Sequence, residues 1–140
     1  MSDSVVGFNI NSMTGALSPE SALPTPPVSC SVTCHINPLR VAVHPTARLA
    51  MVADVGANTL TPFSLNNGML APMASPVATG RHPFGVAFDP TGSFVYVANK
   101  LDNNISGFAV NQMNGALTPL TGSPFAAGAA PVGIAIVSPN

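Results

Sequence analysis

The chain has 140 residues, is 46% hydrophobic and carries nine charged side chains (four Lys or Arg, five Asp or Glu) for a net charge of −1, so it can bury a core but offers no basic stripe to a nucleic-acid backbone. No run of about 18 apolar residues marks a membrane span, and the opening M-S-D-S-V-V-G-F-N-I lacks the basic and long apolar regions of a secretory signal. Fifteen Pro and twelve Gly cut the chain into pieces too short for ordinary helices, and the Val, Ile, Phe and Thr between them favour strands, so an all-β fold is expected.

In chain order, Val5 to Ile10 and Ala16 to Ser18 read as two strands joined by N-S-M-T-G. A stretch rich in Pro and Ser follows at 24–37. Four strands come next: Leu39 to Val43, Leu49 to Ala53, Leu60 to Leu65 and Met69 to Pro72. A second set of four opens with Phe84 to Phe88 and the tight turn D-P-T-G (89–92), where Pro presets φ and Gly tolerates the last turn position. Phe94 to Ala98, Ile105 to Val110 and Ala116 to Leu120 complete it, and Val132 to Val137 reads as one more strand.

These runs repeat. V-A-V-H-P-T-A-R-L-A-M-V-A-D (41–54) aligns with V-A-F-D-P-T-G-S-F-V-Y-V-A-N (86–99) at an offset of 45, and Phe63 and Phe108 keep that offset. V-V-G-F-N-I-N-S-M-T-G-A-L-S-P (5–19) is a third copy of the second half of the unit. A period in the 40s built from short apolar runs and turns points to the four-stranded blade of a β-propeller. Phe8, Phe63 and Phe108 fall at one repeat position, with Tyr96 on a neighbouring strand, and read as packing between blades, not as a stacking surface. The expected organisation is strands three and four of one blade (5–23), a full blade (38–75), a second full blade (83–122) and the first strand of another (131–137). That is about two and three-quarter blades. Because propellers close with roughly 4 to 8 blades, the chain is expected to be part of a larger ring, with the missing blades upstream and needed for closure.

One loop breaks the period. Pro76 and Pro83, like Pro124 and Pro131, are seven residues apart, but Pro24 and Pro38 are fourteen apart. The enlarged inter-blade loop holds Cys30, Cys34 and His35. A Cys30–Cys34 disulfide is the first reading, with free thiols second. A metal site is third, since these three ligands match no common zinc spacing and no fourth is evident. No metal and no other cofactor is expected, because P-loop, dinucleotide, H-E-x-x-H and G-x-S-x-G signatures are absent.

The runs H-P-F-G-V-A-F-D-P-T-G-S-F-V-Y-V-A-N (82–99), N-N-I-S-G-F-A-V-N (103–111) and G-S-P-F-A-A-G-A-A-P-V-G-I-A-I-V (122–137) resemble the repeats of lactonase-type β-propellers. That family includes 6-phosphogluconolactonase-like proteins and surface proteins named for a Tyr-Val-Thr-Asn repeat, from which Y-V-A-N (96–99) departs by one letter. The resemblance covers essentially the whole chain and implies a bacterial, seven-bladed ring of which these are the last blades. It also implies, in one blade, Pro-Arg-His leading into the inner strand and Asn-Glu after the second strand, with Arg holding an anionic group and Glu or His as base. Here those positions read Pro83-Phe84-Gly85 with Asn99-Lys100, Pro38-Leu39-Arg40 with Asp54-Val55, and Pro131-Val132-Gly133. Arg40 alone keeps one of those side chains, so the chain is a poor enzyme candidate by itself.

Propeller topology places inter-blade loops and the loops between second and third strands on one rim. His35, Arg40, Asp54, Lys100 and Asp102 are expected there as ligand-binding residues, with Asn103 and Asn104 beside them. For lactone hydrolysis the candidate catalytic pair is His82 as base and Arg81 as anion clamp. The competing expectation is that these are solvated loop residues, and that Asp54 and Asn99 cap their own loop backbones. Two functions follow. One is a hydrolase acting on a small-molecule sugar lactone; the other is a noncatalytic exported or surface propeller binding proteins or surface glycans through its loop rim. An extracytoplasmic location (periplasmic or secreted) is favoured for either.

Overall fold

A computed structural model describes residues 8–19, 38–66 and 69–137. The described residues contain strands and turns and no helix. A hairpin of β1 (Phe8–Ile10) and β2 (Leu17–Pro19) precedes a blade of β3 (Pro38–Val43), β4 (Leu49–Asp54), β5 (Thr59–Asn66) and β6 (Met69–Pro72). The connector forms a two-residue strand, β7 (Val77–Ala78), and leads into the second blade: β8 (Pro83–Phe88), β9 (Phe94–Asn99), β10 (Asn104–Val110) and β11 (Leu117–Pro119). Another two-residue strand, β12 (Phe125–Ala126), follows. Each blade is an antiparallel meander, and the repeat frame holds residue by residue: Phe8 faces Pro19, Phe63 faces Pro72 and Phe108 faces Pro119.

Each inner strand begins with a proline, which has no N–H to donate and is tolerated at a strand start. A β-bulge follows at the same place in both blades, between Pro38 and Arg40 and between Pro83 and Gly85. The bulge leaves Leu39 and Phe84 out of the ladder and lets their side chains be aimed apart from the alternation of the strand.

The blades pack through one apolar core. Leu49, Met51, Ala53 and Leu60 of the first blade meet Val95, Val97 and Phe108 of the second, and all six residues of β4 are buried. Removing a side chain such as Leu60 or Phe108 from water contributes about 1.5–3 kcal/mol. Phe63 and Phe108 are buried as expected, but Phe8 is 53% exposed, because its hairpin has no second strand beside it among the described residues.

At the opposite end of the blades from the bulges, the turns H-P-T-A (44–47) and D-P-T-G (89–92) interlock. Asp89 organises its own turn, accepting from the Thr91 hydroxyl and from the backbone N–H of Thr91 and Phe94. Burial would raise its carboxyl, but those hydrogen bonds outweigh burial and hold it below the usual carboxylate range. His44 does the same work with an imidazole: Nδ1 accepts from Thr46 and Ala47 N–H at 3.1 and 2.8 Å. That leaves Nε2 as the N–H that donates to the carbonyl of Gly92 in the next blade, at 3.1 Å. The ring is 4% exposed and meets Phe88 edge-on. Gly92 has φ +72°, and a Cβ there would overlap the His44 ring, so glycine is required twice over.

Two expectations are corrected. Val132 to Val137 forms no ladder, because an inner strand pairs with the second strand of its own blade and none stands there among the described residues. The segment still runs against β8: a Cβ on Gly85 would lie 3.0 Å from the Val132 carbonyl and 3.3 Å from the Ile134 nitrogen. The connectors, expected as plain loops, instead add β7 and β12 to the starts of β5 and β10. The Cys30–Cys34 loop and His35 lie outside the described residues.

Gly92→Ala is expected to cost about 1–3 kcal/mol from the positive φ alone, plus the clash with His44. His44→Ala is expected to cost at least about 2 kcal/mol by leaving buried groups unpaired. In a double-mutant cycle read by urea unfolding, the Gly92→Ala cost falls when His44 is already removed; strict additivity would sever the link between the two turns.

Candidate functional site

The rim is built by hydrogen bonds between two loops. Lys100 N–H donates to the His82 carbonyl (3.0 Å) and Leu101 N–H to that of Arg81 (3.2 Å), tying the β9–β10 loop to the entry of β8. Asp102 completes the join. Its Oδ2 accepts the Arg81 backbone N–H at 2.7 Å and its Oδ1 accepts Arg81 Nε at 2.6 Å. The Arg81 N–H first, and then the guanidinium, hold the Asp102 carboxyl below the ordinary carboxylate range.

Two asparagines that sequence reasoning passed over or left as solvated rim residues fix the path of the connectors. Asn58 (φ +56°) accepts the His82 N–H on Oδ1 at 2.8 Å and the Thr79 N–H on its carbonyl at 2.9 Å. Asn103 (φ +53°) repeats this toward Ala130 and Ala127, at 2.8 and 3.0 Å. Asparagine is one of the few side chains that tolerates the left-handed region. His82 and Ala130, the residues caught, are themselves left-handed at φ +59° and +50°. The legible signal was Asn at the same repeat position, 45 residues apart.

This latch sets the backbone of His82, whose ring lies nearly parallel to that of Phe84, with centroids 6.1 Å apart and planes at 13°. Phe84 is the bulged residue of β8. The Arg40 guanidinium, from the inner strand of the preceding blade, lies over its ring at 4.6 Å, and Lys100 Nζ lies 5.6 Å from the centroid. Each such contact is worth about 0.5–1 kcal/mol at an exposed site. Neither Arg40 nor Lys100 has a carboxylate partner among the described residues; Arg40 Nη1 donates to the Leu39 carbonyl. Five of the residues singled out from the sequence are therefore at this rim: Arg81 is paired with Asp102, and Arg40, Lys100 and His82 stand around Phe84.

Asp54 and Asn99 end the second strands of their blades and are buried. Asp54 caps its own loop by accepting the Ala57 N–H at 3.0 Å. Asn99 does something else. Its Nδ2 donates to Asn104 Oδ1 and Ser106 Oγ, both at 2.8 Å, and the amide packs against Gly80, where a Cβ would come within 2.7 Å. Among the described residues no group of three His, Cys, Asp or Glu side chains is placed to hold a metal ion.

Chemically, the arrangement offers one imidazole and two unneutralised cations around one aromatic ring, which suits stabilisation of an anion or a developing oxyanion. The chain matches the model of a family described as lactonase, 7-bladed β-propeller, over residues 1–134. It is 32% identical over 84 residues to the 6-phosphogluconolactonase of Formosa agariphila, an alignment covering 57% of this chain and 24% of that protein. Among solved structures it is similar to a protein of Lactobacillus plantarum (24% identity, TM-score 0.73, 90% of this chain and 36% of that one). It is also similar to the periplasmic gluconolactonase of Pseudomonas aeruginosa (22% identity, TM-score 0.68, 87% and 33%). The chain thus spans about a quarter to a third of the length of these relatives, and the structural likeness establishes the propeller fold.

The folded value of Asp102 lies below the unfolded one, about 3.9. Its bonds to Arg81 therefore stabilise the loop junction above that pH and are lost as pH falls through the lower folded value. Urea midpoints of the native chain and Asp102→Asn are expected to differ near neutral pH and to converge in acid, once the pH has fallen through the lowered folded value. A gap that persists unchanged in acid would show that charge at Asp102 is not what joins the loops.

Proposed function

The chain belongs to the lactonase family of seven-bladed β-propellers, and we propose that its two blades form part of the wall of a site at which water opens the ring of an anionic sugar lactone. The observation that carries this reading is the pair of cations, Arg40 and Lys100, gathered with His82 around Phe84 at the entry of an inner strand. The names of the relatives support the substrate class, one a 6-phosphogluconolactonase and one a gluconolactonase. The periplasmic location given for the second supports an extracytoplasmic setting here.

In this reading His82 takes a proton from the attacking water as its oxygen bonds to the lactone carbonyl carbon, and the negative charge that develops on the carbonyl oxygen is met by donors from the rest of the wall. Collapse of that intermediate breaks the ring C–O bond. The leaving alkoxide recovers the proton from His82, and a hydroxy acid is released. Arg40 and Lys100 hold the phosphate or carboxylate of the substrate. Arg81, engaged by Asp102, keeps the two loops together and leaves its outer nitrogens toward solvent as a secondary clamp. The rest of the wall comes from further blades of the ring.

A noncatalytic rim that binds glycans or proteins is the second reading, favoured by one observation: Lys100 stands where the family resemblance puts a glutamate base. Lactone opening separates the two, followed by pH-stat with 6-phosphogluconolactone and gluconolactone on a closed ring containing these blades. His82→Ala is expected to lower kcat by about 10²-fold or more, and Arg40→Ala to raise KM for the phosphorylated lactone above all. Binding without any lactone opening would establish the second reading.

A further inference from the structure

The repeat supplies an internal control for the cluster around Phe84. At the first interface between blades, the second residue after the inner-strand proline is Arg40, and it lies over Phe84, the first residue after the proline of the next blade. At the following interface the same two positions are Gly85 and Val132, again facing one another: a Cβ on Gly85 would lie 3.0 Å from the Val132 carbonyl. The residue before the proline is His82 in one case and Ala130 in the other, and both are held by the same asparagine latch. The frame needs no ring, imidazole or guanidinium at these positions. The three that stand at the first interface are additions to it.

The geometry points to Phe84 as a positioning residue: an aromatic platform that gathers Arg40, Lys100 and His82 from three segments into a binding site for a phosphate or carboxylate oxyanion. This deepens the reading of the cluster as anion-binding given above and rests on it. Two cations gathered at one ring would ordinarily be held by a carboxylate, as Arg81 is held by Asp102. A carboxylate neutralises the charge and occupies the N–H donors. An aromatic face attracts a cation through its quadrupole and does neither. Arg40 has one nitrogen engaged by a neighbouring carbonyl, and Lys100 Nζ has no hydrogen-bond partner among the described residues, so both keep donors and charge for an incoming oxyanion. The bulge between Pro83 and Gly85 makes this possible by taking Phe84 out of the strand's alternation.

The probe is inorganic phosphate, titrated calorimetrically at constant ionic strength into the native chain and three variants. Phe84→Val copies the residue that the repeat already carries at Val132, and is expected to weaken phosphate binding about threefold to tenfold without a matching loss of unfolding midpoint. Phe84→Trp is expected to restore it, since indole is the stronger cation partner. Arg40→Gly, copying Gly85, removes a cation with the ring left in place and is expected to weaken binding at least as much. Should Phe84→Val fail to fold, unchanged affinity in Arg40→Gly overturns the proposal by itself; so does native affinity in Phe84→Val, or a Trp variant as weak as the Val one. Phosphate binding that depends on Phe84 in a ring that opens no lactone would sustain the platform and remove the hydrolase reading. Lactone opening with unchanged KM in Phe84→Val would do the reverse.

Discussion

Among the described residues the blades make no ladder hydrogen bonds to one another: β3 and β8 run side by side but belong to separate sheets. Everything that fixes one blade against the next must therefore come from side chains and connectors. Apolar packing of β4 against β9 and Phe108 supplies the driving force, but such packing is not directional. Direction comes from polar contacts at the two ends, the Asn58 latch at the rim and the His44 bond to Gly92 at the far turn. With both ends fixed, the rim has a defined shape before any ligand arrives.

The frame was legible because its elements are local and repeated. Short apolar runs, the D-P-T-G turn and the 45-residue offset each report backbone conformation, and they agree with one another. What stayed hidden depends on distance. The two-residue strands β7 and β12 carry no periodic signal of their own and exist only because β5 and β10 offer an open edge. Val132 to Val137 has the composition of a strand and lacks a ladder partner among the described residues. In the site, Arg40, His82 and Lys100 could be assigned to a rim from topology, yet their convergence on Phe84 could not. Phe84 registered only as a departure from a family pattern, since sequence spacing does not show that a bulge turns its ring toward the neighbouring blade.

Charge is scarce in this molecule, and its placement follows from that. Asp102 is joined to Arg81 across two loops, and Asp89 is absorbed by its own turn. Arg40 and Lys100 are held by an aromatic ring, which leaves their charge unneutralised. A protein with nine charged side chains that leaves two cations together at one strand entry has a local field there that its net charge of −1 conceals.

The different side chains at one turn position have a consequence for how the molecule could be rearranged. His44 can approach Gly92 because an imidazole with Nδ1 occupied by its own turn presents an N–H to the facing carbonyl. Asp89, at the equivalent position one unit later, presents only oxygen lone pairs. If the second unit were duplicated in place of the first, an acceptor would face an acceptor, and the contact would turn from attraction to repulsion. The two units share a backbone plan but are not interchangeable parts. Their serial order is encoded in which of them can donate.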